Sequence, residues 1–209
     1  MYQPPSDRCM FFAKMGACRH GDNCTKMHLR PTASPTVLFP MMYPNPLAID
    51  HIKDREWGFE FDKKYLKKHF EHFYKEVWRV FMEFGRIAEL RVVSNLGDHL
   101  LGNVYIRFED PDGPQVAARI VKDLRAKQLH DIVVLPELSP VTNFVEACCK
   151  EDVEGACVRG DQCNYLHIVK VTRKMKEKLE KEQDKYWRKR EKKSGEDRKR
   201  KRSASPRDA

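Results

Sequence analysis

The sequence predicts an α+β protein in which a ferredoxin-like domain lies between two small cysteine- and histidine-rich modules. A basic tail, helical or disordered, follows the second module and has a helix-like stretch over residues 171–193. Residues 16–28 and 155–167 repeat each other, with seven of thirteen positions identical. Between them, hydrophobic patterns follow the order strand, helix, strand, strand, helix, strand, which is typical of a split βαβ architecture. We assign residues 9–30 and 146–169 to the modules, 56–139 to the central domain and 170–209 to the tail.

Each repeat, together with a cysteine upstream of it, offers three cysteines and one histidine. The first set is Cys9, Cys18, Cys24 and His28, and the second is Cys148 or Cys149 with Cys157, Cys163 and His167. Three thiolates and one imidazole complete a tetrahedral zinc shell and leave no position open for a substrate. The sequence therefore predicts two structural zinc ions held by CCCH zinc fingers.

Enzymatic activity and membrane insertion are both disfavoured. A catalytic zinc needs an open coordination position, which neither set offers. His69 and His72 lie in a lysine-rich helical segment rather than in an acid–base set. The most apolar stretch, residues 37–49, is interrupted by three prolines and is not expected to span a bilayer. We predict a protein that is not an enzyme, has no membrane partner and keeps its thiols reduced inside the cell.

The positive charge of the chain is concentrated in its tail. The net charge is +9, yet residues 170–209 alone hold 18 basic and 8 acidic residues, which leaves the rest of the chain nearly neutral. Such a tail attracts polyanions. The basic run Arg198–Arg202 is typical of a nuclear-import sequence, so we expect a nuclear protein.

Both modules carry side chains suited to single-stranded RNA. Aromatic rings stack on unpaired bases, and glycine turns expose backbone groups that pair with base edges. Gly21 and Gly160 are expected to form such turns. One of Phe11 and Phe12 is expected to pack on the zinc site, which leaves the other for a base. The remaining candidates for base stacking or phosphate contact are Arg19, Lys26, Lys150, Arg159 and Tyr165.

The central domain is expected to begin with a strand at residues 57–61, followed by a long helix over residues 66–84 that ends at Gly85. Two further strands are expected over Ile87–Val93 and Asn103–Phe108. A second helix opens at Pro111 and turns its apolar side chains inward, and Ile132–Leu135 is expected to be the last strand.

The third predicted strand has the pattern of an RNA-recognition motif, with two departures. Gly102, Tyr105 and Phe108 match the basic–Gly–aromatic–small–aromatic–Val–x–aromatic pattern, whereas Leu101 replaces the basic residue and Asn103 replaces a stacking ring. A sheet without that ring is a poor platform for bases, so Tyr105 is expected to contribute little to RNA affinity. We therefore favour peptide binding for this domain. The alternatives are RNA binding by its sheet and a role as a mere spacer.

The order finger, RNA-recognition motif, finger resembles the small subunit of the U2 auxiliary factor, a splicing protein that recognises the AG at 3′ splice sites. Four stretches carry the resemblance, which covers about residues 9–170: Gly16–Asp22, Asn95–Leu100, Glu137–Thr142 and Glu146–Cys149. It implies that Cys149, not Cys148, is the ligand. It also implies that both fingers clasp AG-containing RNA, and that the central domain grips a tryptophan-bearing peptide of the large subunit or of another splicing protein. The RNA contacts implied by position are Phe11, Arg19, Thr25, Lys26, Lys150, Arg159 and Tyr165.

Two departures from that family affect the partner. Lys127-Gln128-Leu129 aligns with a peptide-gripping motif that is usually Arg-x-Phe, and the first long helix carries Lys63, Lys64, Lys67 and Lys68 where relatives are acidic. A basic helix repels a basic peptide. The sequence therefore predicts a weaker hold on the large subunit or a more acidic partner.

The alternative function is a CCCH regulator of messenger stability or processing. Such proteins normally carry adjacent fingers joined by a short linker, whereas 120 residues separate His28 from Cys149 here. The sequence therefore favours the splicing factor.

Overall fold

A computed structural model describes residues 7–48, 61–109, 111–129 and 132–203, without side-chain placement beyond residue 194. The described residues form two compact units, which divide after residue 170. The first unit includes six short strands and five α-helices, and the second contains one long helix. The strands are β1 (Thr36–Phe39), β2 (Ile87–Val92), β3 (Val104–Phe108), β4 (Lys127–Leu129), β5 (Ile132–Val134) and β6 (Glu137–Leu138). The helices are α1 (Met10–Met15), α2 (Lys63–Phe81), α3 (Gly113–Leu124), α4 (Phe144–Ala147), α5 (Lys150–Val153) and α6 (Arg173–Ser203).

The first unit is organised by a four-stranded antiparallel sheet in the order β2-β3-β1-β6. This confirms the predicted α+β class. Helices α2 and α3 pack on one face, where Phe39 of β1 lies 4.8 Å from the Phe81 ring of α2. The opposite face presents Leu38 and Tyr105, which are paired across β1 and β3. Because successive residues of a strand point to opposite faces, the sheet separates a helix-covered side from a side that meets both fingers.

The first strand of the sheet lies upstream of the predicted position. The structure places it at Thr36–Phe39, whereas residues 57–60 of the predicted strand lie outside the described residues and Phe61 is not in a strand. The central sheet therefore begins before the predicted domain start at residue 56. All four residues of β1 are buried, so the strand has no alternation of apolar and polar residues to reveal it.

The last strand of the sheet also differs from the prediction. Residues 132–134 do form a strand, β5, but it pairs only with β4 in a separate two-stranded hairpin. The edge strand next to β1 is β6, which is two residues long. A strand this short has too few residues for a recognisable sequence pattern.

The second unit is the helix α6, which extends the predicted helical stretch of the tail to Ser203. Ion pairs between residues four apart stabilise its first turns, with Arg173 and Glu177 2.7 Å apart and Lys176 and Glu180 3.7 Å apart. Among the helices described, none has an apolar run long enough to cross a membrane.

Candidate zinc centres and nucleic-acid interface

The structure brings each predicted ligand set together. In each set the four ligand atoms lie within 4.8 Å of one another: Cys9, Cys18, Cys24 and His28 in the first, Cys149, Cys157, Cys163 and His167 in the second. Equivalent local elements build both sites, because each begins with a cysteine directly before a short helix, α1 or α5. A 3₁₀ turn then follows the second cysteine, at Gly21–Asn23 and Gly160–Gln162.

Backbone geometry explains the glycines in those turns. Gly21 has a φ of +47° and Gly160 a φ of +53°, and a Cβ at either position would meet nothing within 4 Å. The glycines are therefore required by the left-handed backbone conformation and not by crowding. The turns lie open at the surface of each finger, as predicted.

The histidines show that both sites are suited to a metal ion. Nε2 of His28 and of His167 is buried and has no hydrogen-bond partner among the residues that the structure describes. A buried polar atom without a partner is costly, and coordination of zinc removes that cost. The Phe12 ring stacks on His28 with 4.4 Å between centroids, and an Asp152 oxygen lies 3.3 Å from Nδ1 of His167. The carboxylate beside His167 is the partner that zinc-bound imidazoles commonly have, and the Phe12 ring restricts the orientation of His28 by packing.

The second site uses Cys149 and not Cys148. Only Cys149 belongs to the cluster, and Cys148 packs against the apolar residues beneath the finger. Burial raises the pKa of the Cys148 thiol, so the neutral thiol is favoured there. The geometry of the cluster therefore assigns Cys149 as the ligand.

Arg159 is bound to the second zinc site itself. Its Nε donates to Cys163 Sγ at 3.2 Å, and its Nη2 lies 3.6 Å from Cys149 Sγ and 2.9 Å from Glu151 Oε2. Burial opposes ionisation of Cys163, but the hydrogen bonds from Arg159 and from the Tyr165 amide outweigh it and lower the pKa of the thiol. The guanidinium group of Arg159, which is predicted to contact RNA, is therefore already hydrogen-bonded to two cysteine sulfurs and a carboxylate.

The first finger packs on the sheet through Tyr105. This side chain is fully buried, and its hydroxyl donates to the Met15 carbonyl oxygen at 2.5 Å. Its ring meets Phe144 edge to face at 5.8 Å, in a core that also includes Leu38, Val141 and Leu166. Tyr105 occupies the position at which RNA-recognition motifs stack a base, but here a finger covers it.

The second finger is held by Asn95, a residue that belongs to the stretches carrying the family resemblance but had no predicted role. Asn95 is fully buried in the loop between β2 and β3. Its Nδ2 donates to the carbonyl oxygens of Cys163 at 2.9 Å and Tyr165 at 3.1 Å, and its Oδ1 accepts from the His167 amide at 2.8 Å. A buried asparagine with all three bonds made fixes the finger backbone around two zinc ligands.

Asn103, which replaces a stacking ring, instead forms two side-chain hydrogen bonds to the backbone. Its Oδ1 accepts from the Met41 amide at 3.3 Å and its Nδ2 donates to the His99 carbonyl oxygen at 3.1 Å. Next to it, Gly102 has a φ of +64°, and a Cβ there would lie 2.6 Å from the Tyr43 carbonyl oxygen. The strand pattern is therefore shaped by backbone packing at this position.

The two fingers meet at a pair of aromatic rings. Phe11 of the first finger and Tyr165 of the second lie 5.9 Å apart, with an interplanar angle of 61°. Phe11 is 37% exposed and Tyr165 is partly exposed, so both rings reach the surface. Of the other predicted RNA contacts, Arg19, Thr25 and Lys26 are exposed on the first finger, and Lys150 is exposed on the second.

Comparison with known proteins agrees with this architecture. Residues 4–30 match the family model of the zinc finger C-x8-C-x5-C-x3-H type. The chain is 38% identical over 178 residues to the splicing factor U2AF 23 kDa subunit of Schizosaccharomyces pombe, covering 85% of this chain and 78% of the relative. It is 37% identical over 173 residues to the human splicing factor U2AF 26 kDa subunit, covering 82% and 76%.

A plant relative is longer. The chain is 39% identical over 171 residues to a U2af small-subunit splicing factor of Arabidopsis thaliana, and that match spans 82% of this chain but only 59% of the relative.

Two CCCH clusters fixed to a four-stranded sheet with two helices behind it define a zinc-finger protein of the RNA-binding class. Within that class, the chain belongs to the family of U2AF small subunits, which are splicing factors.

Proposed function

We propose that the chain recognises the AG-containing RNA of a 3′ splice site with both fingers acting jointly. The observation that carries this proposal is the contact between Phe11 and Tyr165, which puts one surface ring of each finger 5.9 Å apart. Two rings at this distance are available to successive bases of one short strand. Stacking on such rings is worth about 1–3 kcal/mol per base.

Exposed basic side chains on both fingers support the same assignment. Arg19 and Lys26 on the first finger and Lys150 on the second are exposed and suited to phosphates. Arg159 takes a different part in the proposal, because it is bound to two zinc ligands and to Glu151. Its role is to hold the second finger and to leave one face of the guanidinium for a base.

Tyr105 supports recognition by the fingers rather than by the centre of the sheet. It is the ring that an RNA-recognition motif would offer to a base, and it is fully buried under the first finger. A base cannot reach it unless that finger leaves the sheet. The zinc fingers are therefore the base-reading surface.

The central domain is proposed to bind a splicing protein, either the large subunit of the U2 auxiliary factor or another one. Lys63, Lys64, Lys67 and Lys68 are all exposed near the start of α2. Lys127-Gln128-Leu129 forms β4 of the exposed hairpin and supplies neither the arginine fork nor the aromatic ring of the usual motif. The proposed partner is accordingly more acidic than the large-subunit peptide, or is held less tightly than in relatives.

The RNA proposal is tested by titrating zinc-loaded protein into labelled RNA hexamers that contain AG or, as a control, CC at the same place. We expect AG to bind more tightly, and Cys18→Ser or Cys157→Ser to abolish most binding. A footprint of about six phosphates gives a log–log salt slope of about −4. Equal affinity for both hexamers, or wild-type affinity in either mutant, would overturn joint recognition. A nuclear location is part of this proposal, because splicing takes place in the nucleus.

A further inference from the structure

An open groove of about 510 Å³ lies beside the second finger, on the side of the sheet that meets the fingers. It is distinct from the covered centre of that face, because the sheet residues that line it are Glu89 and Arg91 of β2 and Arg107 of β3. Its walls include Phe144, Val145, Lys150 and Val153 from α4 and α5. The volume is in the range of pockets that hold small organic ligands.

Glu89 fixes the two arginines at the floor of this groove. Its Oε2 accepts from Arg91 Nε at 3.1 Å and Nη2 at 2.7 Å, and its Oε1 accepts from Arg107 Nε at 3.2 Å and Nη2 at 2.6 Å. One carboxylate thus orients two guanidinium groups. Burial opposes ionisation of Glu89, but both arginines outweigh it and lower the pKa of the carboxyl group. The Glu89 carboxylate and both guanidinium groups therefore stay charged, and their geometry is set before a ligand binds.

Two exposed valines border the groove, and the buried Phe144 ring lies beside Arg91. The side chains of Val145 and Val153 are 76% and 67% exposed, and the Arg91 guanidinium lies 5.7 Å from the centre of the Phe144 ring. An ordered guanidinium plane above an aromatic ring, with apolar side chains beside it, offers stacking to a flat ligand. Three basic and two acidic residues line the groove, which favours a ligand with negative charge.

We propose that this groove binds a further nucleotide of the RNA strand held by the fingers, immediately outside the finger-bound segment. Lys150 joins the two surfaces, since it is exposed on the second finger and also lines the groove. The base stacks on the Arg91 plane and the apolar wall, while Arg107 and Lys150 attract the phosphate. This inference rests on the proposed RNA recognition by the fingers, and it extends the footprint from the fingers onto strands β2 and β3.

An acidic peptide is the competing occupant, and the geometry favours the nucleotide. A peptide carboxylate would need the guanidinium N–H groups, but Nε and Nη2 of both Arg91 and Arg107 already donate to Glu89, which leaves their planar faces available. Flat bases are the ligands that match stacked planes of this kind. Because Lys150 connects the groove to the finger surface, the RNA strand held by the fingers can reach the groove, and no additional protein partner is needed.

The test compares an AG-containing RNA tetramer with RNAs extended by two nucleotides at the 5′ end, the 3′ end or both. The variants are Arg91→Gln, Arg107→Gln and Val153→Glu, the last of which obstructs the groove without touching the Glu89 cluster. Lys122→Gln on the exposed surface of α3 is the control for lost charge. Zinc content and thermal unfolding establish that each variant is folded.

We expect one of the extensions to tighten wild-type binding by about tenfold, within the range of one stacked base. The three groove variants should lose that gain and bind the tetramer like the wild type, whereas Lys122→Gln should keep it. Equal affinities of wild type and groove variants for the extended RNAs would overturn the inference while leaving finger recognition intact. Failure of wild-type protein to bind any of the RNAs would overturn both. If the groove variants no longer bound a polyglutamate peptide that the wild type binds, and their RNA binding were unchanged, the groove would be assigned to a protein partner. That result would overturn the proposal of a nucleotide site.

Discussion

The hydroxyl of Tyr105 donates a 2.5 Å hydrogen bond to the carbonyl oxygen of Met15, and so connects the middle of the sheet to the end of the first finger's helix. Met15 is itself fully buried and is followed by Gly16, which ends α1 with a φ of +70°. The strand position that binds RNA in an RNA-recognition motif is therefore used to anchor a zinc finger. This changes what substitutions at Tyr105 are expected to do.

Tyr105→Phe should destabilise the protein through the loss of this hydrogen bond. The Met15 carbonyl would remain buried without its partner, at a cost of about 1–3 kcal/mol in the free energy of unfolding. Denaturant titration monitored by circular dichroism measures the change. Tyr65→Phe is the matched control, because Tyr65 is exposed on α2 and its hydroxyl is not buried. Equal stability of the two variants would contradict the anchoring role.

Tyr105→Ala should weaken RNA binding, although the sequence pattern predicted almost no effect. Removal of the ring opens a cavity beneath Met15 and Phe144, which costs about 3–5 kcal/mol for a large aromatic in a core. The first finger then loses its fixed position beside Tyr165. RNA affinity and the free energy of unfolding are both measured for this variant. Loss of the anchor should lower both, whereas loss of a base-stacking ring would lower the affinity alone.

Asn95→Asp should loosen the second finger. A carboxylate keeps the bond from the His167 amide but has no hydrogen to donate to the carbonyl oxygens of Cys163 and Tyr165. Each buried carbonyl left unpaired costs about 1–3 kcal/mol. We expect faster zinc release from one of the two sites in a chelator competition. Asn23→Asp, on the exposed turn of the first finger, should release zinc at the wild-type rate.

Metal analysis of folded protein should give two zinc ions per chain. Cys18→Ser and Cys157→Ser should each lose one ion, because each removes a ligand from a closed four-ligand set. Cys148→Ser should retain both, since its thiol lies outside the second cluster. Loss of an ion from Cys148→Ser would show that the ligand assignment is wrong.

Charge reversal on α2 should strengthen binding of a basic, tryptophan-bearing peptide from the large subunit. Lys63, Lys64, Lys67 and Lys68 are exposed, and their replacement by glutamate changes repulsion into attraction. Calorimetric titration at low and moderate salt measures the effect, which should shrink as salt rises. Nanomolar binding of the same peptide to the unmodified chain would overturn the expectation of a weak hold.

The zinc ligands could be found from the sequence because each set is local. Spacings of a few residues bring three thiolates and an imidazole within reach of one ion, whatever surrounds them, and the repeat of the pattern makes coincidence untenable. The helices α2 and α3 could also be predicted from the sequence, because apolar residues at helical spacing indicate a helix whatever it packs against. The choice of Cys149 over Cys148 depended on the family resemblance, and the cluster agrees with it.

The tertiary structure alone decided which surfaces remain available. The sequence determined the two zinc sites, the α+β class and the family, because these follow from short-range spacing and from whole motifs. It could not reveal that Thr36–Phe39 is the first strand, that Tyr105 is covered by a finger or that Asn95 holds the other finger. Each of these depends on pairing between residues 60 or more positions apart along the chain. Such pairing is selected by packing and by the requirement that buried polar groups find partners, and neither leaves a local pattern.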